Sequence, residues 1–123
     1  MGDRRHVIFN YNDYTKEKER FSNIYLYSHW AGSNLQFMVR DALIHAKPRW
    51  NDDNYCARIM ITHIVHSEDA CMDELSWGIS PFYCDSEHDD ILILLKANKV
   101  KIKDKEWSFE SFCDPITNIE EIE

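Results

Sequence analysis

The sequence predicts an α+β domain: a mostly antiparallel sheet of about five strands with two helices packed on one face. Three observations lead there. Two central stretches carry apolar residues at helical spacing. Short alternating or continuous apolar runs flank them, separated by polar, acidic loops. Their order along the chain is β-β-α-α-β-β-β. The 123 residues are expected to form a single globular domain, 1–123, with a tail fraying over 117–123.

The first strand is expected over His6 to Tyr11, around Val7, Ile8 and Phe9. A mixed-charge loop, Asn12 to Phe21, leads to a second strand, Asn23 to Ser28. Ile24, Leu26 and Ser28 face one way there, and Tyr25 and Tyr27 the other. Helix one is predicted from about Asn34 to Ala46, since Leu35, Met38, Val39, Ala42, Leu43 and Ala46 form one apolar stripe. Ser33 is the expected N-cap, with Gln36 completing a capping box. Lys47-Pro48 ends the helix, because the residue before proline avoids helical geometry.

Helix two is predicted from about Asp52 to His66, capped by Asn51. Asp52 and Asp53 complement the positive end of its dipole. Its wide apolar arc, from Tyr55 to Ile64, suits packing on more than one side. Leu75 to Phe82 reads as a third strand and Ile91 to Leu95 as a central, doubly buried one. Val100 to Lys103 alternates like an exposed edge strand whose lysines discourage edge-to-edge pairing. Trp107 to Phe112 is a short last segment.

Composition limits the function classes. Apolar residues make up 44% of the chain, which argues against disorder. The formal net charge of −8 disfavours direct nucleic-acid binding, which needs a basic face. The same charge favours a basic or nucleic-acid-binding protein partner. No run approaches the ~18 apolar residues of a membrane span. The first residues lack an apolar signal segment, so a cytoplasmic location is expected. Cys56, Cys71, Cys84 and Cys113 show no C-x-x-C pairing and are expected as reduced, mostly buried thiols.

Two places look built for binding. At Ser28 to Gln36 a strand runs through a tight turn into a helix start, whose free N–H groups and dipole favour anions. Gly32 permits close backbone approach, Trp30 offers a stacking face and His29 a proton or a hydrogen bond. The alternative is architectural: Gly32 turns, Ser33 caps and Trp30 fills core. The second place is Arg49, Trp50 and Arg58 around the helix pair. A buried arginine needs a partner, so Arg58 either pairs with an aspartate or reaches an anion.

Other constellations are weaker. His63-x-x-His66 with Cys71, and His88 among Asp85, Glu87, Asp89 and Asp90, have ligand types but no established metal spacing. Ser28 and His29 lack a nucleophile elbow, and neighbours in a strand face opposite ways. No metal, cofactor or catalytic residue is assigned.

The residues Tyr25-x-Tyr27-Ser28-His29-Trp30-x-Gly32-Ser33, then Arg49-Trp50-x-Asp52-x-x-Tyr55-x-x-Arg58 and Gly78-Ile79-Ser80, resemble a pattern in small uncharacterised proteins of bacteria and their phages. Ser28 and Ala31 stand where that pattern has threonine and glycine. The resemblance spans Tyr25 to Trp107 and implies a source class, without a mechanism.

The leading expectation is a non-catalytic cytosolic binding protein, a phage accessory factor that inhibits a host protein of defence or nucleic-acid processing through an acidic surface. The alternative is a nucleotide or cyclic-oligonucleotide binder, sequestering or weakly hydrolysing. Its site would combine His29, Trp30, Gly32 and Ser33 with Arg49, Trp50 and Arg58. That reading is conditional on Arg49 or Arg58 reaching the His29 junction.

Overall fold

The computed structural model describes residues 4–11, 23–29, 32–67, 77–83 and 86–119. Among these, six strands form one sheet: β1 (Arg5–Asn10), β2 (Asn23–Ser28), β3 (Trp77–Ser80), β4 (Ile91–Leu94), β5 (Lys99–Ile102) and β6 (Lys105–Ser108). Three helices accompany them: α1 (Leu35–His45), α2 (Asp53–Val65) and α3 (Phe109–Cys113). The fold is α+β, as expected, but the sheet has six strands and is mixed.

The strand order is β3-β2-β1-β4-β5-β6. β1 pairs antiparallel with β2 and parallel with β4, in register Val7 with Ile91 and Phe9 with Ile93. The other neighbours pair antiparallel. The parallel pair places the apolar run Ile91–Leu94 at the centre, as its continuous hydrophobicity predicts.

Strand alternation sorts the sheet into two faces. Val7, Phe9, Leu26, Ile91, Ile93 and Val100 meet the apolar stripes of α1 and α2 in one core. From α1 come Leu35, Met38, Val39, Ala42 and Leu43; from α2 come Cys56, Ala57, Met60 and Ile64. Phe109 and Phe112 of α3 close the same core and are fully buried. Each such side chain contributes roughly 1.5–3 kcal/mol by leaving water.

The opposite face is also covered beside β1. His6 is fully buried there, its ring stacked on Tyr83 at 4.7 Å and edge-on to Tyr25 at 5.8 Å. Its Nδ1 lies 3.2 Å from an Asp90 carboxylate oxygen, which also accepts from the Ser86 hydroxyl. The Glu87–Asp90 segment, read from sequence as a metal candidate, instead holds the start of β1. Arg4 pairs with Glu87 at 3.0 Å, and the Arg5 Nε donates to the Asp89 carbonyl at 2.6 Å.

Several local expectations change. β5 is not the edge: β6 lies outside it, after a two-residue connection in which Lys103 takes φ 53°. Trp107 belongs to that edge strand, and the segment after it is α3, capped where the Ser111 N–H donates to the Ser108 hydroxyl oxygen at 3.1 Å. The expected capping box at α1 is replaced. Asn34 precedes the helix without a side-chain cap, and the Gln36 side-chain oxygen accepts from Arg5 at 2.8 Å. Asp52, not Asn51, is the residue before α2. At the tail, Ile119 is buried in the core and the Thr117 carbonyl accepts from Arg40 at 2.5 Å. The loop Asn12 to Phe21, Cys71, Cys84 and residues 120–123 lie outside the described residues.

Candidate functional site: a basic cleft between the two long helices

The two halves of the sequence-derived site sit at opposite ends of α1. His29 follows β2, with its Nδ1 3.2 Å from the Tyr27 hydroxyl. Gly32 and Ser33 lie in a short 3-10 turn that leads into α1. Trp30 lies outside the described residues. Arg49 follows the far end of α1, whose 11 residues span about 16 Å. The condition for a joint site, convergence of His29 with Arg49 or Arg58, is therefore not met.

Trp50 is tied to the core. Its indole N–H donates to the Leu43 carbonyl at 2.9 Å, and its ring meets Phe109 edge-on at 5.4 Å. It fixes the segment between α1 and α2 onto the core, which positions its neighbour Arg49. Pro48 supports the same segment at the start of a 3-10 turn, where a missing N–H costs nothing.

Arg49 and Arg58 do come together. They line one cleft of about 680 Å³ between the end of α1 and the outer side of α2. Its other basic groups are His45, His63 and His66. Ile59 and Pro48 supply apolar wall. Among the described residues, no aspartate or glutamate lines it. A volume of this size falls in the range of small-molecule sites.

Helix periodicity builds this wall. Arg58, Thr62 and His66 repeat at four-residue spacing on α2, and Ile59 and His63 repeat beside them. Thr62 donates its hydroxyl proton to the Arg58 carbonyl at 3.0 Å, so that proton is committed to the helix. Guanidinium and imidazole groups line the cleft, with the Ser67 hydroxyl beside them.

The arginines differ in their ties. Arg49 lies 3.5 Å from the Asp52 carboxylate, with both side chains about half exposed, and its guanidinium stacks over Tyr55 at 4.8 Å. An exposed pair at that distance contributes little, so Arg49 can be redirected cheaply. The Arg58 guanidinium has no carboxylate partner among the described residues. His45 and His63 stack on one another, with ring centroids 4.7 Å apart and planes inclined by 25°.

The sequence singled out Arg49 and Arg58 and read His63-x-x-His66 as a metal candidate. It missed His45, which joins the cleft only because α1 ends against α2. Cys71, the third ligand of the metal reading, lies outside the described residues. Among the described residues, no three His, Cys, Asp or Glu side chains are grouped to hold a metal. No helix among them is long and apolar enough to cross a membrane. No protein-family model, curated protein or solved structure matches the chain. The cleft is read from its own chemistry.

Proposed function

We propose that this chain is a binding protein that takes up a small anionic ligand in the cleft between α1 and α2. The observation that carries the reading is Arg58, a guanidinium that lines the cleft and has no carboxylate partner among the described residues. Arginine is permanently charged and presents a planar fork that fits phosphate or carboxylate. In a chain of net charge −8, a cleft lined by two arginines, with no acid among its described lining residues, is a local reversal of sign. Screening confines the repulsive field of distant carboxylates to roughly 8 Å at physiological salt, so the local lining governs an anion already in the cleft.

Thermal-shift measurement tests this against pyrophosphate, mononucleotides and cyclic oligonucleotides. A ligand at about 100 times its dissociation constant stabilises by about 2.7 kcal/mol, a shift of several degrees for a domain of this size. The shift disappears in Arg58→Ala, an exposed position whose loss leaves the core intact. Absence of stabilisation by every anion at millimolar concentration would overturn the reading.

A second reading keeps the binding role and moves it to the surface. The net charge of −8 favours docking on a basic host protein, as a phage accessory factor would. Pulldown from host lysate separates the two. A specific partner that survives moderate salt and is retained by Arg58→Ala supports the surface. The absence of any such partner sinks it.

A further inference from the structure

The cleft holds more than positive charge. On one wall two imidazole rings are stacked, His45 from the last turn of α1 and His63 from α2, at 4.7 Å and 25°. His63 is half-buried and His45 is exposed. The pair is therefore a platform with one ring anchored in the protein and the other presented to solvent. A third flat ring can continue such a stack, as histidine and other planar side chains do with nucleobases.

The platform has a fixed relation to the anion-binding groups. Arg58 and His63 are five residues apart on one rigid helix, about 7.5 Å along its axis. Ile59 lies between them on the cleft wall, an apolar surface facing the space where a sugar would lie. Pro48 adds apolar surface on the α1 side. Arg49, held by an exposed aspartate and a tyrosine ring, is close enough to the same cleft to turn toward a second oxygen of an anion. The cleft so offers charge at one place, an apolar stretch beside it and a stacking surface beyond.

We infer that the ligand is a nucleoside phosphate, with its phosphate on Arg58 and Arg49 and its base stacked on the outer face of His45. This rests on the anion reading of the cleft and adds to it the requirement for a base. A bare phosphate or a carboxylate metabolite uses the arginines alone and leaves the paired rings idle. A nucleotide uses both. Binding is read here without a chemical step, so the ligand leaves as it entered.

Isothermal titration with adenosine monophosphate and ribose 5-phosphate tests the inference, because the two share the phosphate and sugar and differ in the base. Adenosine monophosphate is expected to bind the wild-type chain roughly fivefold or more tightly, the lower end of what one stacked base contributes. His45→Ala removes that advantage, weakening adenosine monophosphate several-fold more than ribose 5-phosphate. Arg58→Ala weakens both ligands. Circular dichroism of each variant confirms that its fold is retained, and both positions are exposed. If the two ligands bind equally, the base platform is wrong and the anion reading stands. If the advantage of adenosine monophosphate survives His45→Ala, the base lies elsewhere and the inference fails. If neither ligand binds and pyrophosphate also fails, both readings fall together.

Discussion

Arg5 on β1 reaches to α1 and donates from Nη1 to the side-chain oxygen of Gln36 at 2.8 Å, with the two residues 1% and 2% exposed. Its Nε donates to the Asp89 carbonyl at 2.6 Å. One guanidinium thus ties the central strand to the first helix and to the segment before β4. Removing it strands a buried amide oxygen and a backbone carbonyl. Arg5→Ala is expected to destabilise the chain by about 3 kcal/mol, from unsatisfied polar groups and an unfilled volume. Urea unfolding measures it. A loss below about 1 kcal/mol would mean that the bridge contributes only as an exposed pair does.

The connection between β5 and β6 holds a lysine in the left-handed region, with Lys103 at φ 53°. A side chain there crowds the following carbonyl, and glycine does not. Lys103→Gly is expected to raise stability by about 0.5–1 kcal/mol, visible as a higher urea midpoint at unchanged slope. Asn98 shares φ 53°. Asparagine tolerates that region, so Asn98→Gly gains less.

Burial pushes the Cys56 thiol up to about 11, helped by the carboxylates of Asp52 and Asp53. Burial also takes Cys113 up to about 11, against the opposing pull of Arg40 and Lys47. At pH 8 such a thiol is about 0.1% thiolate, whereas a free cysteine is about a quarter ionised. In a Cys71→Ser, Cys84→Ser background, iodoacetamide is expected to label the native chain at least a hundredfold more slowly than a free thiol. Mass spectrometry over time reads the rate. Labelling at the free rate would show that neither thiol is held in its apolar setting.

The Lys96 ammonium lies 2.5 Å from the Asp53 carboxylate and holds that carboxyl below its usual range, against the opposing effect of burial. The neighbouring Asn54 N–H adds a bond at 2.7 Å. A carboxyl depressed in the folded state stabilises above its unfolded value of about 3.9, and that contribution is lost as pH falls through the folded value. Asp53→Asn is therefore expected to lower stability by about 0.5–1 kcal/mol at pH 7. The difference from wild type should close in the acid limb below about pH 4. An equal gap at pH 7 and at the acid extreme would place its cause outside this ion pair.

Much of the frame was legible because apolar periodicity reports burial. β2 falls on Asn23–Ser28 as predicted, and Ile91–Leu94 is central as its continuous run requires. β6 was hidden because Lys105-Glu106-Trp107-Ser108 carries one apolar residue and the turn before it, Lys103-Asp104, has no glycine. The parallel pairing of β1 with β4 has no local signature, since it is set by packing across most of the chain. The burial of Arg5 and His6 has no signal in sequence, because nothing nearby announces Gln36 or Asp90. At the cleft, Arg49 and Arg58 were visible as charge near the helix pair. His45 was not, because its role depends on where α1 ends against α2. Trp50 has no distinguishing signal in sequence, because an indole suits a ligand and a core equally well; the fold ties it to Leu43 and Phe109.

The parallel contact of β1 with β4 also sets a clock during synthesis. Arg5 and the Asp89 carbonyl it bonds are 84 residues apart. At ribosomal rates of about 5–20 residues per second, β4 follows β1 by roughly 4–17 s. For that interval β1 can join β2, but its other edge has no strand to receive it. An unpaired edge of apolar residues is a template for any neighbouring chain. The nascent chain is thus exposed to misassociation in the seconds before Ile91–Leu94 emerges, and crowded polysomes or slowed elongation lengthen that exposure without changing the stability of the finished fold.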